Sequence, residues 1–240
     1  MEAGAMTFVA VDVETTGLSP DKNRMIEIGA VKYVNGIAAA EFSRFIRIST
    51  PVPERITELT GIDDSMLAGA PREEEVMREF LAFADVPVLV GHNLAFDYGF
   101  LKNAAVRCRM EFEYLGIDTL TLCRTFHPEQ EKRSLGAMCD CYQIDPGRAH
   151  RAFCDAKAAA ELYRCLYERF EQKDPHAFLA KPVMCRVKKQ EPITAKQKKY
   201  LIDLAKYHRI EVKQPLEDMT KSEASRLIDS IILNYGKMGR

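Results

Sequence analysis

The chain has 240 residues, of which 47% are hydrophobic and 29% charged, with a formal net charge of −1. That balance excludes a disordered or fibrous chain and fits one large domain, or one domain with a small appendage. No apolar run reaches the roughly 18 residues of a membrane span, and "MEAGAMTFVAVD" has no basic flank before its apolar stretch, so no membrane association is expected and the cytoplasm is favoured.

Three apolar, β-rich segments come first: "MTFVAVDV", "MIEIGAVKYV" and "AEFSRFIRI". Asn35-Gly36 between the second and third is a strong hairpin signal, so the three strands form an antiparallel meander. "PERITELTGI" reads as a short helix stopped by Gly61. "REEEVMREFLAFA" spaces Val76, Phe80 and Phe83 along one helical face and places acids in the first turn. "VPVLVGH" reads as a buried fourth strand, "FDYGFLKNAAVRC" as the helix after it, and "EFEYLGIDTLTL" as the segment holding a fifth strand. "SLGAMCDCYQI" is another helix. Its Cys139 and Cys141 have no second pair at zinc-site spacing, and seven cysteines, an odd number, make no disulfide framework. "DAKAAAELYRCLYERFEQ" is the clearest helix, with Ala159, Leu162, Leu166 and Phe170 on one face. Strands followed by strand–helix alternation fit an α/β mixed sheet covered by helices.

"EQKDPHAFLAKPVMCRVKKQEP" carries Pro175, Pro182 and Pro192 and a basic cluster at Arg186, Lys188 and Lys189, and reads as a linker. Two short helices follow, each opening with a capping box: Thr194 with Gln197, and Thr220 with Glu223. The expected division is residues 1–172, a linker over 173–191, and a small basic helical module over 192–240. Residues 181–240 hold 14 Lys/Arg and 7 Asp/Glu, net +7, which leaves 20 basic and 28 acidic residues, net −8, in the body. Lys196, Lys198, Lys199, Lys206, Arg209 and Lys213 cluster around the first of these helices. This asymmetry fits either a module that meets an anionic or protein partner, or a lysine-biased solvated surface.

The chemistry begins at "FVAVDVETTGLSP". Residues i and i+2 of a strand share a face, so Asp12 and Glu14 stand together with Val11 and Val13 on the reverse. Burying unpaired carboxylates is expensive, and a hard dication that prefers carboxylate oxygens would relieve it. The alternative is a solvent-facing edge strand with two harmless acids. A further acid, Asp97, follows the fourth strand in "VLVGHNLAFDYGF", and Asp155 opens the long helix in "HRAFCDAKAAAELY", five residues after His150. Each alone reads as a helix N-terminal acid or a loop histidine.

Together, D-x-E-T-T-G, H-N-x-x-F-D and H-x-x-x-x-D resemble the DEDDh (DnaQ-like) family of 3′–5′ exonucleases, to which the proofreading subunit of bacterial DNA polymerase III belongs. The resemblance runs from about Thr7 to about Phe170 and includes "LTGIDDSML" and "SLGAMCDCYQI". It implies a ribonuclease H-like, five-stranded mixed sheet flanked by helices. It implies two divalent ions, Mg²⁺ or Mn²⁺, held by Asp12, Glu14, Asp97 and Asp155, with His150 as general base. Thr15, Thr16 and Leu18 match the segment that grips the 3′-terminal nucleotide, Thr60 a position near its sugar, and His92, Asn93 and Phe96 positions lining the site. The implied substrate is a single-stranded or frayed 3′ end of DNA, in proofreading or repair alongside a polymerase or repair complex. An exoribonuclease is the alternative within the family, since only the 2′-hydroxyl separates the two substrates. A non-catalytic nucleic-acid-binding adaptor is the alternative outside it, disfavoured because a dead site has no need of five costly polar groups.

Overall fold

A computed structural model describes residues 6–185, 187, 191–212, 215–216 and 219–238. Arg186, Lys188, Lys189 and Lys213, part of the basic clusters expected above, lie outside the described residues. The chain divides into two compact units, Met1–Val187 and Lys188–Arg240.

The first unit opens with the expected meander: β1 (Phe8–Thr15), β2 (Met25–Val34) and β3 (Ile37–Phe45), antiparallel throughout. Asn35 and Gly36 both adopt positive φ, 52° and 82°, as the tight turn requires. Helices α1 (Glu54–Thr60), α2 (Asp64–Leu67) and α3 (Glu73–Phe83) follow, then β4 (Val88–Gly91) and α4 (Leu94–Arg107). Next come β5 (Leu115–Asp118), α5 (Thr119–Phe126), α6 (Leu135–Tyr142) and α7 (Ala152–Phe170). With a last strand β6 (Lys181–Pro182), the sheet order is β3-β2-β1-β4-β5-β6, with β4 parallel to β1 and to β5.

Alternation along β1 decides the layers. Val9, Val11 and Val13 join Phe80, Phe100 and Leu101 in the core under α3 and α4. Phe8 and Ala10 face the other way, into a core with Leu162, Tyr163 and Leu166 of α7. Asp12 and Glu14 continue that second row toward the strand's end. Small residues at Ala156, Ala158, Ala159 and Ala160 are buried and let α7 lie close to the sheet.

Three features differ from the sequence expectation. The sheet has six strands, because β6 (Lys181–Pro182) pairs antiparallel with Leu115 and Gly116; a two-residue strand has no periodicity to detect. "TLTL" leaves the strand and begins α5, because the Asp118 carboxylate accepts from Leu120 N at 3.1 Å and Thr121 Oγ1 at 2.8 Å and so caps a helix there. The stretch after 173, proline-rich and linker-like, is built into the first unit as far as Cys185. A 3₁₀ turn over Pro175–Phe178 buries Phe178 against Phe126 and Tyr167, and Val183 and Cys185 pack on the core. Proline content reports a broken helix, and only packing shows that the broken segment is covered.

The second unit contains α8 (Ala195–His208) and α9 (Lys221–Tyr235), both opened by the expected capping boxes. Leu201, Leu204, Met219, Ala224, Ile228 and Ile231 form its core. Gln197 also donates to Lys221 O and Ser225 Oγ, both at 2.9 Å, tying the two helix starts together. No helix among the described residues is long and apolar enough to cross a membrane.

Candidate functional site

The site lies at the end of β1. In the antiparallel register Asp12 stands opposite Gly29 and Glu14 opposite Glu27. A Cβ on Gly29 would fall 2.0 Å from Phe153 N and 2.1 Å from Ala152 C. Only glycine lets the start of α7 settle on the sheet at this point, and that brings the first turn of α7, with Asp155, to the row of Asp12 and Glu14.

Asp97 arrives by another route. Strand pairing between β1 and β4 is confined to Val9–Leu89 and Ala10–Val90. Beyond it, the Val13 amide donates to Asp97 Oδ1 at 3.0 Å. The carboxylate thus takes the place of a strand partner where β4 has turned into α4, satisfying a buried backbone donor.

His150 precedes α7 with φ of 58°, a left-handed conformation unusual for a non-glycine residue. Its amide donates to Asp155 Oδ2 at 3.0 Å, and its side chain is exposed. Potential ligand atoms of Glu14, His150 and Asp155 all lie within 4.8 Å of one another. Asp12 and Asp97 stand outside that trio but within its electrostatic field.

Burial first, then the neighbouring carboxylates Asp97, Asp155 and Glu14, push the Asp12 carboxyl well above the usual range. Burial and Asp155 push Glu14 up to about 7. Burial pushes Asp97 up to about 8, although the Val13 amide pulls the other way, and burial raises Asp155 as well. Crowding buried carboxylates in this way disfavours their charged forms and favours a positive ion among them. The donors are carboxylate oxygens with one imidazole, the set that suits Mg²⁺ or Mn²⁺.

This has a measurable consequence. Groups whose pKa is raised on folding stabilise the fold below their unfolded pKa and lose that contribution as pH rises through the folded one. In EDTA, the melting temperature of the first unit is expected to fall as pH rises from about 4 to about 8, the span set by Glu14 and Asp97. Adding Mn²⁺ at pH 8 is expected to restore it. A melting temperature indifferent to Mn²⁺ at pH 8 would deny the site its cations.

The other sequence-derived residues are distributed unevenly. Thr15 Oγ1 donates to Gly17 O at 2.8 Å and Thr16 Oγ1 accepts from Arg24 N at 3.0 Å, so both hydroxyls hold the turn after β1. Leu18, in that turn, is 75% exposed. Thr60 is buried, donating to Ile56 O at 2.8 Å and accepting from Ile62 N at 3.0 Å. His92 points into the fold: Nε2 donates to Arg133 O at 2.8 Å, and Nδ1 lies 2.9 Å from Thr119 Oγ1, whose hydroxyl also reaches Gly91 O at 3.1 Å. Burial lowers its pKa, in keeping with a neutral ring. Asn93 is exposed at the start of α4 with φ of 69°, and Phe96 packs against Phe100 and the core. Sequence reading passed over two residues, Glu27 and Arg151, which the fold joins beside Glu14. A glutamate alternating into the apolar strand "MIEIGAV" was the available signal.

Solved structures with this fold include exonuclease X in complex with 5′ overhanging duplex DNA, at 24% identity and TM-score 0.56, covering 68% of this chain and 92% of that one. E. coli exonuclease I in complex with a dA16 oligonucleotide aligns at 18% identity and TM-score 0.62, covering 72% of this chain and 42% of that one. Curated relatives named DNA polymerase III PolC-type include those of Caldanaerobacter subterraneus subsp. tengcongensis, 39% identical over 165 residues, and Halalkalibacterium halodurans, 43% identical over 156. These matches take in 69% and 65% of this chain but only 12% and 11% of the relatives' own length. The exonuclease family RNase_T matches residues 9–163, which span every acid of the site and His150. On that match, with the ribonuclease H-like fold and the motif order, the chain belongs to the RNase_T exonucleases, in their DEDDh, DnaQ-like branch.

Proposed function

We propose that this chain is a 3′–5′ exonuclease that hydrolyses phosphodiester bonds from the 3′ end of DNA, in proofreading or repair. The observation that carries it is the gathering of Glu14, His150 and Asp155 within 4.8 Å, beside the mutually repelling carboxylates of Asp12 and the buried Asp97. Asp12, Glu14, Asp97 and Asp155 would hold two divalent ions, Mg²⁺ or Mn²⁺, which would supply stabilisation of negative charge on the phosphoryl group and activation of the attacking water. The chain's own part is to present four carboxylates, orient the strand end and accept a proton.

His150 is the proton acceptor. Histidine changes charge near neutral pH, and this one is exposed beside Glu14 and Asp155 with its backbone pinned by Asp155. Leu18, held out by the self-bonded turn of Thr15–Gly17, stacks against the last base. Since the Thr15 and Thr16 hydroxyls are engaged, the backbone of the turn makes the polar contacts to that nucleotide. A frayed or single-stranded end enters such a site without the cost of melting a pair. The relatives' name supports a polymerase assembly as the setting, and the DNA complexes of the two structural neighbours support DNA as the substrate.

Matched single-stranded DNA and RNA oligonucleotides, labelled at the 5′ end and incubated with Mn²⁺, test this reading. Stepwise shortening of DNA at least tenfold faster than RNA is expected. Faster shortening of RNA would make the protein an exoribonuclease, and release from neither would make it an adaptor.

A further inference from the structure

Glu27 is a carboxylate on β2 with only 1% of its surface exposed, and it takes no part in the site as described so far. Three donors converge on it. Arg151 Nη2 donates to Oε1 at 2.8 Å, Arg151 Nε donates to Oε2 at 3.2 Å, and the Ala152 amide donates to Oε2 at 3.2 Å. The Arg151 guanidinium also lies 5.3 Å from the centre of the Phe45 ring, a cation–π contact.

These bonds fall on consecutive residues. His150 is tied through its amide to Asp155, Arg151 through its side chain to Glu27, and Ala152 through its amide to Glu27. Glu27 in turn is the cross-strand neighbour of Glu14. A left-handed residue such as His150 is strained and persists only where its surroundings over-determine it. Here the surroundings are identifiable, and they run to β2, the strand paired with the one that carries Asp12 and Glu14.

We propose that the Glu27–Arg151 pair is a positioning clamp that locks the start of α7 onto β2 and thereby holds His150 and Asp155 against Glu14. It rests on the nuclease reading for its effect on rate, while its effect on the site's geometry stands apart from that reading. Arginine is required because its planar fork makes two bonds at once, which a lysine ammonium cannot. The bonds to Glu27 keep the guanidinium beside the carboxylates of the site without making it a group that touches the reacting atoms.

The test uses the full chain and the variants Arg151→Ala, Arg151→Lys, Glu27→Gln and the double variant Glu27→Gln/Arg151→Ala. Each is measured for melting temperature, Mn²⁺ affinity by calorimetry, the His150 ring resonance by NMR, and kcat and KM on a single-stranded DNA oligonucleotide. Arg151→Ala is expected to lower kcat and Mn²⁺ affinity by about 10–100-fold, the range for partners that orient metal ligands, with KM within threefold. Its His150 resonance is expected to shift, and Arg151→Lys to recover little. The double variant is expected to be no worse than Arg151→Ala within about twofold, because the two residues act as one unit. Folded Arg151→Ala with unchanged kcat, Mn²⁺ affinity and His150 resonance would overturn the clamp, as would effects that multiply in the double variant. If Glu27→Gln does not fold, the partly exposed Arg151 variants still decide the matter. If the wild type releases no nucleotide, the nuclease reading fails by itself, and the Mn²⁺ and His150 measurements still judge the clamp.

Discussion

Asp12→Ala is expected to end nucleotide release while leaving the protein folded. Asp12 sits in the row of β1 that faces α7, in the combined field of Asp97, Asp155, Glu14 and Glu27. In the absence of cations that field is unfavourable, so removing one carboxyl relieves repulsion and burial together. The metal-free melting temperature at pH 8 should therefore hold or rise. The neighbouring Val11 and Val13 pack on the opposite face, under α3 and α4, and are not disturbed. With cations the same change removes a ligand, and cation stabilisation of phosphoryl transfer is worth several kcal/mol. The rate should fall by roughly 10³-fold or more. A labelled oligonucleotide assay beside a thermal melt measures both effects. Full activity in a folded Asp12→Ala protein would defeat the two-metal mechanism.

His150→Ala is expected to lower kcat by about 10²–10⁴-fold, the usual contribution of general base catalysis. The left-handed backbone adds a complication, since alanine at φ of 58° is no easier to hold there than histidine. His150→Asn separates the two causes, because asparagine tolerates that conformation and offers no comparable base. Equal losses in the two variants would assign the effect to the missing proton acceptor. A rate within threefold of wild type in either would mean that another group takes the proton.

Much of this was legible before folding was considered. The period-2 alternation of "FVAVDVET" places Asp12 and Glu14 on one face, and Asn35-Gly36 announces the hairpin. The capping boxes at Thr194 and Thr220 mark two helix starts, and the helical spacing of Ala159, Leu162, Leu166 and Phe170 marks the helix behind the site. All of these are local patterns, written by backbone geometry over a few residues. Glu27 shows where such reading stopped. The argument that a buried carboxylate needs a positive partner applies to it as well as to Asp12, yet its partner Arg151 is remote in the chain. His92 shows the converse: its place in a motif is visible, but the direction of its ring is set by Thr119 and Arg133.

Local patterns along the chain were enough to show which residue types recur, on which face of which element, and the motif order that places the chain among exonucleases. Folding was needed to show that Gly29 admits the start of α7 to the sheet, that Asp97 replaces a missing strand partner at Val13, and that Glu27 grips Arg151. The physical reason is that periodicity is fixed by the bond geometry of neighbouring residues. The approach of distant groups depends on how whole layers pack, and no short stretch of chain encodes that alone.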